Sequence, residues 1–268
     1  NESGLNHYMG IAISAFIATM LAWASTLLPA EWTSTPWHPL LACALFIVPG
    51  VPLINFVDDM LDNYIQVGIV RAVNTLLMVS AMAFGIAFAV KLCSIGDFFP
   101  TISMVPHHNY LEYAIAAAIS AMGFSMIFNI QRRLLWVVAI GGIIAVCTRN
   151  FVNLGPSTNN IGLDMGLVIG SFSGSVLVSL IAIKAVHWFH VPNHVLTIPS
   201  VIPMIPGVLM YRMLFGLINM NVQSIDQVTP LMKAIESGVN SGLVIMCIAL
   251  GVAIPNIFGR KYIASSKN

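Results

Sequence analysis

Charged residues are scarce in this sequence, and their scarcity excludes several classes of protein at once. Only 8% of the 268 residues are Asp, Glu, Lys or Arg, whereas an ordinary globular chain carries about 25%. The formal net charge is only +1. So little charge cannot cover the water-facing surface of a soluble enzyme or keep a tail disordered, and the basic excess of a nucleic-acid-binding protein is missing.

Residues that could ligate a metal or act in catalysis are few and poorly spaced. The sequence has four cysteines without a CxxC pair, which argues against a disulfide framework and a zinc site. They lie in or beside apolar segments, where they act as small packing residues: Cys43, Cys93, Cys147 and Cys247. Three clustered histidines are interpreted as residues of the membrane interface, since Pro192 interrupts their helix: His187, His190 and His194. We therefore predict no cofactor, no metal ion and no enzymatic activity.

Long apolar runs dominate the chain instead. Hydrophobic residues make up 58% of the sequence, and the mean hydropathy is +0.89. A membrane-spanning helix needs about 20 mostly apolar residues. Eight stretches qualify, at residues 9–28, 38–56, 74–93, 112–130, 134–151, 162–187, 199–219 and 238–258. The sequence predicts an all-α polytopic membrane protein with about eight transmembrane helices.

The distribution of Lys and Arg predicts the orientation of these helices. With eight spans, both chain ends and the even-numbered loops lie on one side of the membrane. That side holds Arg71, Arg132, Arg133, Lys184, Arg260, Lys261 and Lys267, against Lys91, Arg149, Arg212 and Lys233 assigned elsewhere. Positive loops face the cytoplasm, so both termini of this chain are predicted to be cytoplasmic.

The chain also resembles itself at a spacing of about 156 residues. Residues 9–16 match residues 165–172, and residues 47–51 match residues 204–208, with their Pro-Gly pairs aligned. General similarity among apolar segments does not account for those aligned pairs. Equivalent spans are five apart, so the two copies would have inverted topology, which is typical of secondary transporters. The fourth and fifth spans have no partner, and we therefore expect two helices to precede Asn1.

Proline and glycine interrupt the second and seventh predicted spans at corresponding positions. Prolines remove backbone donors and leave polar groups without partners in mid-membrane, and paired breaks of this kind point to a binding site. Freed N–H groups at the start of a half-helix favour a carboxylate. Simple structural kinks are the alternative. The predicted substrate-binding residues are Pro49, Gly50, Pro52, Asn55, Pro206, Gly207 and Arg212.

Three acids follow the first break within five residues. Asp58 and Asp62 would share one helix face, with Asp59 beside them. Carboxylates this close hinder one another's ionisation, which suits groups that take up and release protons. These acids and Arg71 are the predicted proton-coupling set. A solvated interfacial loop remains the alternative for the acids, and for Arg212 the alternative to a wet cavity is a side chain that reaches the interface.

The run Pro49-Gly50-Val51-Pro52-Leu53-Ile54-Asn55, with Asp58, Gly68 and Arg71 after it, resembles the threonine/serine exporter family (ThrE). The segment from Leu111 to Phe258, including Ile205-Pro206-Gly207, is similar to the five-helix C-terminal module of that family. The resemblance implies a first module ending within residues 1–110 and a complete second module at 111–268. A cytoplasmic region and two helices of the first module would then precede this chain.

The resemblance also implies a location and a substrate class. Members reside in the bacterial cytoplasmic membrane and export small amino acids such as threonine and serine, and split-subunit relatives have been linked to dicarboxylates. We hypothesise a secondary-active, proton-coupled exporter in which Asp58 carries the proton. Its predicted partners are a small-molecule substrate (threonine, serine or a small dicarboxylate), protons and the lipid bilayer, but not nucleic acid, and formation of a homo-oligomer stays open. A passive channel and a non-transporting membrane subunit that needs a partner are the alternatives.

Overall fold

The computed structural model describes residues 6–25, 27, 50–93, 109–156, 161–218 and 228–265, and every regular element in them is helical. In chain order the α-helices are α1 (His7–Ser25), α2 (Gly50–Leu61), α3 (Ile65–Leu92), α4 (Tyr110–Ile127), α5 (Leu135–Asn153), α6 (Gly166–Phe189), α7 (Asn193–Val201), α8 (Gly207–Ile218) and α9 (Val228–Ser265). Short 3-10 helices occupy Arg132–Leu134, before α5, and Ile202–Met204, after α7. The predicted all-α architecture is confirmed.

Within the described residues, six helical segments are long and apolar enough to cross a membrane. They are His7–Ser25, Ile65–Leu92, Tyr110–Ile127, Arg132–Asn153, Gly166–Val186 and Leu231–Gly259. Each overlaps one of the predicted spans. The prediction of a polytopic helical membrane protein is therefore confirmed, whereas the number of eight spans is not.

The other two predicted spans have different outcomes. Most of the stretch 38–56 lies outside the described residues, which resume at Gly50 with α2. The stretch 199–219 is divided between the end of α7, a 3-10 helix and α8. Ile205 is extended there, with φ −61° and ψ 129°, and Pro206 has no N–H to continue a helix. The predicted helix break at this proline is therefore present.

Large apolar side chains remain exposed along the candidate spans. Leu76, Phe84 and Trp136 are 66%, 69% and 73% exposed, respectively. A water-soluble protein would bury such side chains, whereas lipid tails solvate them. Their exposure agrees with helices that face a bilayer.

The described residues form two compact units, each assembled from separate stretches of chain. Asn1–Pro49, Val70–Met104 and Pro206–Ser241 contribute to the first unit, and Gly50–Ile69, Val105–Ile205 and Gly242–Asn268 to the second. Helix α8 therefore belongs to the unit of α1 and most of α3, and α2 to the unit of α4–α7. The division into modules at residue 110 stays a prediction.

The second unit has a continuous apolar core. Its buried members come from α2, α4–α7, the following 3-10 helix and α9: Ile54, Val57, Ala117, Ala145, Val146, Val178, Val201, Met204, Val244, Ile248, Ala249 and Val252. Glycines let α5 and α6 approach closely, because a methyl group on Gly170 would lie 2.6 Å from the carbonyl oxygen of Arg149. This packing holds α5 and the segment after α7 in place.

The first unit is joined by both polar and close backbone contacts. The hydroxyl of Tyr8 in α1 donates a 2.6 Å hydrogen bond to Oδ1 of Asn74 in α3. Farther along, a methyl group on Gly85 would collide with the backbone of Ala12, so only glycine allows α1 and α3 to pack there. The rings of Phe16 and Phe88 pack beside this crossing, with centroids 5.5 Å apart.

Candidate functional site

Helix α2 begins at the glycine of the first Pro-Gly pair. Gly50 is buried, and a side chain at this position would run into the Ile205 side chain, which precedes the second Pro-Gly pair. Pro52 lies close to the first described residue of α2. Pro49 and the residues before it lie outside the described residues. The interruption of the second span at this Pro-Gly pair therefore stays a prediction.

The apolar residues of α2 determine where its polar residues lie. Gly50, Leu53, Ile54 and Val57 are buried, at the spacing of one helix face. Ile54 and Val57 enter the core of the second unit. The other faces of α2 carry the predicted site residues Asn55, Asp58 and Asp59, all partly buried. The three are consequently placed at the border of the apolar core.

The end of α2 brings the third acid close to the first. The backbone N–H of Asp62 donates to the carbonyl oxygen of Asp58 at 2.9 Å, so the helical spacing predicted for this pair is present. Asn63 then adopts a left-handed conformation, with φ 68°, and reverses the chain into α3. Gly68 packs against the returning backbone, because a methyl group there would lie 2.9 Å from the carbonyl oxygen of Phe56.

A histidine from another helix faces the first of these acids. Nε2 of His194, in the first turn of α7, lies 4.0 Å from Oδ2 of Asp58. The two side chains are 50% and 23% exposed, respectively, so water reaches the pair. The distance exceeds that of a direct hydrogen bond, which leaves the pair as a long ion pair when both groups are charged.

The remaining predicted site residues belong to the first unit. Pro206 is buried and precedes α8, and its carbonyl oxygen accepts the N–H of Met210 at 3.1 Å. Gly207 is the buried first residue of α8, and Arg212 is exposed farther along that helix. Arg71 is exposed on α3, and its carbonyl oxygen accepts a 2.7 Å hydrogen bond from Thr75. The predicted residues are thus divided between the two units.

A second polar contact in the second unit involves Arg149, which the sequence prediction used only to orient the helices in the membrane. Arg149 lies within α5, four residues before its last residue, and is partly buried. Its Nη1 donates to the carbonyl oxygen of Met204 at 3.2 Å, and its Nε donates to Oδ1 of Asn150 at 3.4 Å. An arginine ties α5 to the segment that ends at the second Pro-Gly pair.

Sequence reasoning missed His194 and Arg149 for different reasons. His194 was interpreted as an interfacial residue, because its acidic neighbour Asp58 is distant in sequence and only the packing of α2 near α7 brings the two together. Arg149 offered a stronger signal, since a charge inside the predicted span 134–151 is costly unless a cavity or partner receives it.

Taken together, the apolar helices and their exposed apolar side chains define an integral membrane protein. Residues 113–258 match the family described as "Threonine/Serine exporter, ThrE", and residues 1–93 match the family described as "Putative threonine/serine exporter". The first match alone covers more than half of the chain, and the chain belongs to the threonine/serine exporter family. The predicted resemblance is confirmed. No solved structure matches the chain.

Proposed function

We propose that this chain is a secondary-active exporter of threonine, serine or a related small carboxylate, driven by the proton gradient across a bacterial cytoplasmic membrane. Membership of the threonine/serine exporter family supports the substrate class. The structural observation that carries the coupling mechanism is the proximity of His194 to Asp58, at the end of a helix that starts at a Pro-Gly pair.

Asp58 is the group we propose to carry the coupled proton. It lies in the last turn of α2, where the helix dipole disfavours a negative charge. Asp59 and Asp62 on the same segment disfavour the ionised form of Asp58. A protonated His194 on α7 favours that ionised form. Opposing influences of this kind allow a small change in surroundings to load or release the proton.

The residues that we propose to bind the substrate lie near the first residues of α2 and of α8. Gly207 follows the helix break at Pro206, and the N–H groups at such a helix start have no partner within the helix. Such groups bind carboxylates well. Asn55 would add a side-chain donor, and Arg212 or Arg71 would supply a counter-charge. The remaining members of this proposed site are Pro49, Pro52 and Pro206.

Alternating access by an inverted repeat is part of the proposal. The Pro-Gly pairs aligned in the sequence, at Gly50 and Gly207, support the proposed repeat. A duplicated scaffold of this kind can expose one site to either side of the membrane in turn. The transport mode would be antiport of substrate and proton, with both termini of this chain in the cytoplasm.

Counterflow in proteoliposomes tests this function. Vesicles containing the chain are loaded with unlabelled threonine, serine or succinate, and the uptake of the labelled compound is followed with and without a proton gradient. We expect saturable exchange of at least one compound, enhanced by the gradient and absent from protein-free vesicles. A passive channel would instead give flux that is insensitive to uncouplers and shows no exchange. No flux from well-folded protein would support a subunit that needs a partner.

A further inference from the structure

The helix break after α7 leaves a backbone carbonyl available in the second unit. In an uninterrupted helix, the carbonyl oxygen of Met204 would accept the N–H of residue 208. Here Ile205 is extended and α8 starts anew at Gly207. The Met204 carbonyl instead accepts a hydrogen bond from Nη1 of Arg149, at 3.2 Å. The guanidinium is therefore held directly at a proposed substrate-binding break.

The described partners of this guanidinium carry no negative charge. Among the residues that the structure describes, its hydrogen bonds go to the Met204 carbonyl and to the side-chain oxygen of Asn150. A cation within a membrane-spanning helix is costly, and such residues commonly mark the path of a charged solute. Neutral acceptors compensate an arginine less well than a carboxylate does, because ionic hydrogen bonds are roughly twice as strong as neutral ones.

The side-chain amide of Asn150, beside Arg149, carries an unsatisfied donor. Asn150 is only 3% exposed, and its Nδ2 makes no hydrogen bond to any residue that the structure describes. A buried donor left without an acceptor costs about 1–3 kcal/mol. Arg149 and Asn150 are adjacent in α5, and one side-chain hydrogen bond already joins them. The guanidinium and the amide together form a cluster of donors that lacks an anionic acceptor among the described residues.

We propose that Arg149 and Asn150 bind the carboxylate of the transported solute, an inference that rests on the proposed export function. The planar guanidinium can hold a carboxylate with two parallel hydrogen bonds, and the Asn150 amide supplies a third donor. A carboxylate that accepts the hydrogen bond from Nη1 of Arg149 would replace the Met204 carbonyl as its acceptor. Substrate binding would thereby release the segment before the second Pro-Gly pair, which links occupancy to movement at the helix break.

A purely structural role for Arg149 makes different predictions. If the side chain only holds the Met204 carbonyl, its loss lowers thermal stability and weakens the binding of all ligands alike. A carboxylate-binding role predicts selective weakening of ligands that carry a carboxylate. Threoninamide, which keeps the hydroxyl and amine of threonine but not its carboxylate, separates these two roles.

The experiment measures dissociation constants and thermal stability of the detergent-purified chain with threonine, succinate and threoninamide. Wild-type protein should bind threonine at least about tenfold more tightly than threoninamide. Arg149→Gln should raise the Kd for threonine by about 10- to 100-fold, the loss expected for ionic hydrogen bonds, and leave that for threoninamide within about twofold. Arg149→Lys and Asn150→Ala should each weaken the binding of threonine several-fold without lowering the melting temperature of the protein. Arg132→Gln, at an exposed arginine before α5, is the matched control and should behave as wild type.

Each outcome supports or contradicts the carboxylate site at Arg149 and Asn150 or the proposed export function. Wild-type affinity for threonine and succinate in Arg149→Lys and Asn150→Ala would overturn the carboxylate site, even if Arg149→Gln does not fold. Equal weakening of threonine binding and threoninamide binding by Arg149→Gln would also overturn the carboxylate site. Binding of succinate but not threonine by the wild type would contradict the amino-acid substrate, and the Arg149 variants would then be judged on succinate. Failure of the wild type to bind any carboxylate would contradict both proposals.

Discussion

Helices α2 and α8 each carry the glycine of a Pro-Gly pair but differ in charge. Gly50 and Gly207 are both buried. Asp58 and Asp59 lie in the last turn of α2, and Asp62 follows it, whereas α8 contains Arg212 and no acid. Glycine permits close packing at both positions, since a side chain on Gly50 would run into Ile205. The different charges support the proposal that the two helices have separate tasks.

This difference supports the proposal that α2 carries the proton and that Arg212 of α8 supplies a counter-charge. Acids at a carboxyl-terminal helix end are held in an unfavourable electrostatic position, which suits a proton carrier. An arginine on an otherwise apolar helix suits the binding of an anion or an acid.

Asp58→Asn should abolish proton-driven transport by removing the ionisable group from α2. A gradient of one pH unit supplies about 1.4 kcal/mol per proton, enough for roughly a tenfold substrate gradient. The wild type should sustain such a gradient in proteoliposomes, and the variant should equilibrate to none while still exchanging substrate. Transport at the wild-type rate across about pH 6 to 8 would remove Asp58 from the proton pathway.

Gly50→Leu and Gly207→Leu should each reduce transport strongly, because both glycines are buried. At Gly50 the added side chain would meet Ile205, and overpacking of this kind costs about 1–3 kcal/mol. Gly123→Leu is the matched control, since Gly123 is an exposed helical glycine with open space around it. Initial rates of labelled threonine exchange measure the effect. Full activity in both variants would mean that the breaks are only kinks.

Gly68→Ala should destabilise the turn between α2 and α3 and leave the charges of the site untouched. The new methyl group would approach the carbonyl oxygen of Phe56 to 2.9 Å, and relief of this contact costs about 1–3 kcal/mol. Thermal unfolding of purified protein measures the loss. Gly123→Ala should instead be neutral or stabilising, because alanine favours helix by about 1 kcal/mol over glycine. Equal melting temperatures for both variants would contradict the close packing at Gly68.

His194→Gln should change the pH dependence of transport with a smaller effect on its maximum rate. Glutamine removes the ionisable neighbour that lies 4.0 Å from Asp58, so the dependence of transport on pH should change. Rates measured from about pH 6 to 8 should show a profile that differs from that of the wild type. An unchanged profile would mean that the 4.0 Å approach of His194 to Asp58 has no part in coupling.

The sequence predicted those parts of the fold that depend on local hydrophobicity. Six predicted spans coincide with helices, because a run of about 20 apolar residues has few other structures in a membrane. The stretch 199–219 was apolar enough to be predicted as one span, yet Pro206 and the extended Ile205 divide it. Local chemistry placed the break, whereas hydropathy alone did not reveal two separate helices.

The site was predictable only where its residues are neighbours in the chain. The spacing of Asp58 and Asp62 foretold their shared helical turn, and the second Pro-Gly pair foretold the break before α8. The contact of His194 with Asp58 and that of Arg149 with Met204 depend on packing between distant segments. No periodicity in a single sequence encodes such contacts, so the partners of the predicted residues had to come from the structure.

Movement of substrate and proton in opposite directions through one carrier can be detected by following both in the same vesicles. Proteoliposomes carrying the chain and an internal pH-sensitive dye receive a gradient of threonine at zero initial pH difference. We predict that threonine movement drives protons the opposite way, and that Asp58→Asn abolishes this proton signal while exchange of labelled threonine continues. Saturable threonine exchange in the wild type without any proton movement would contradict the account.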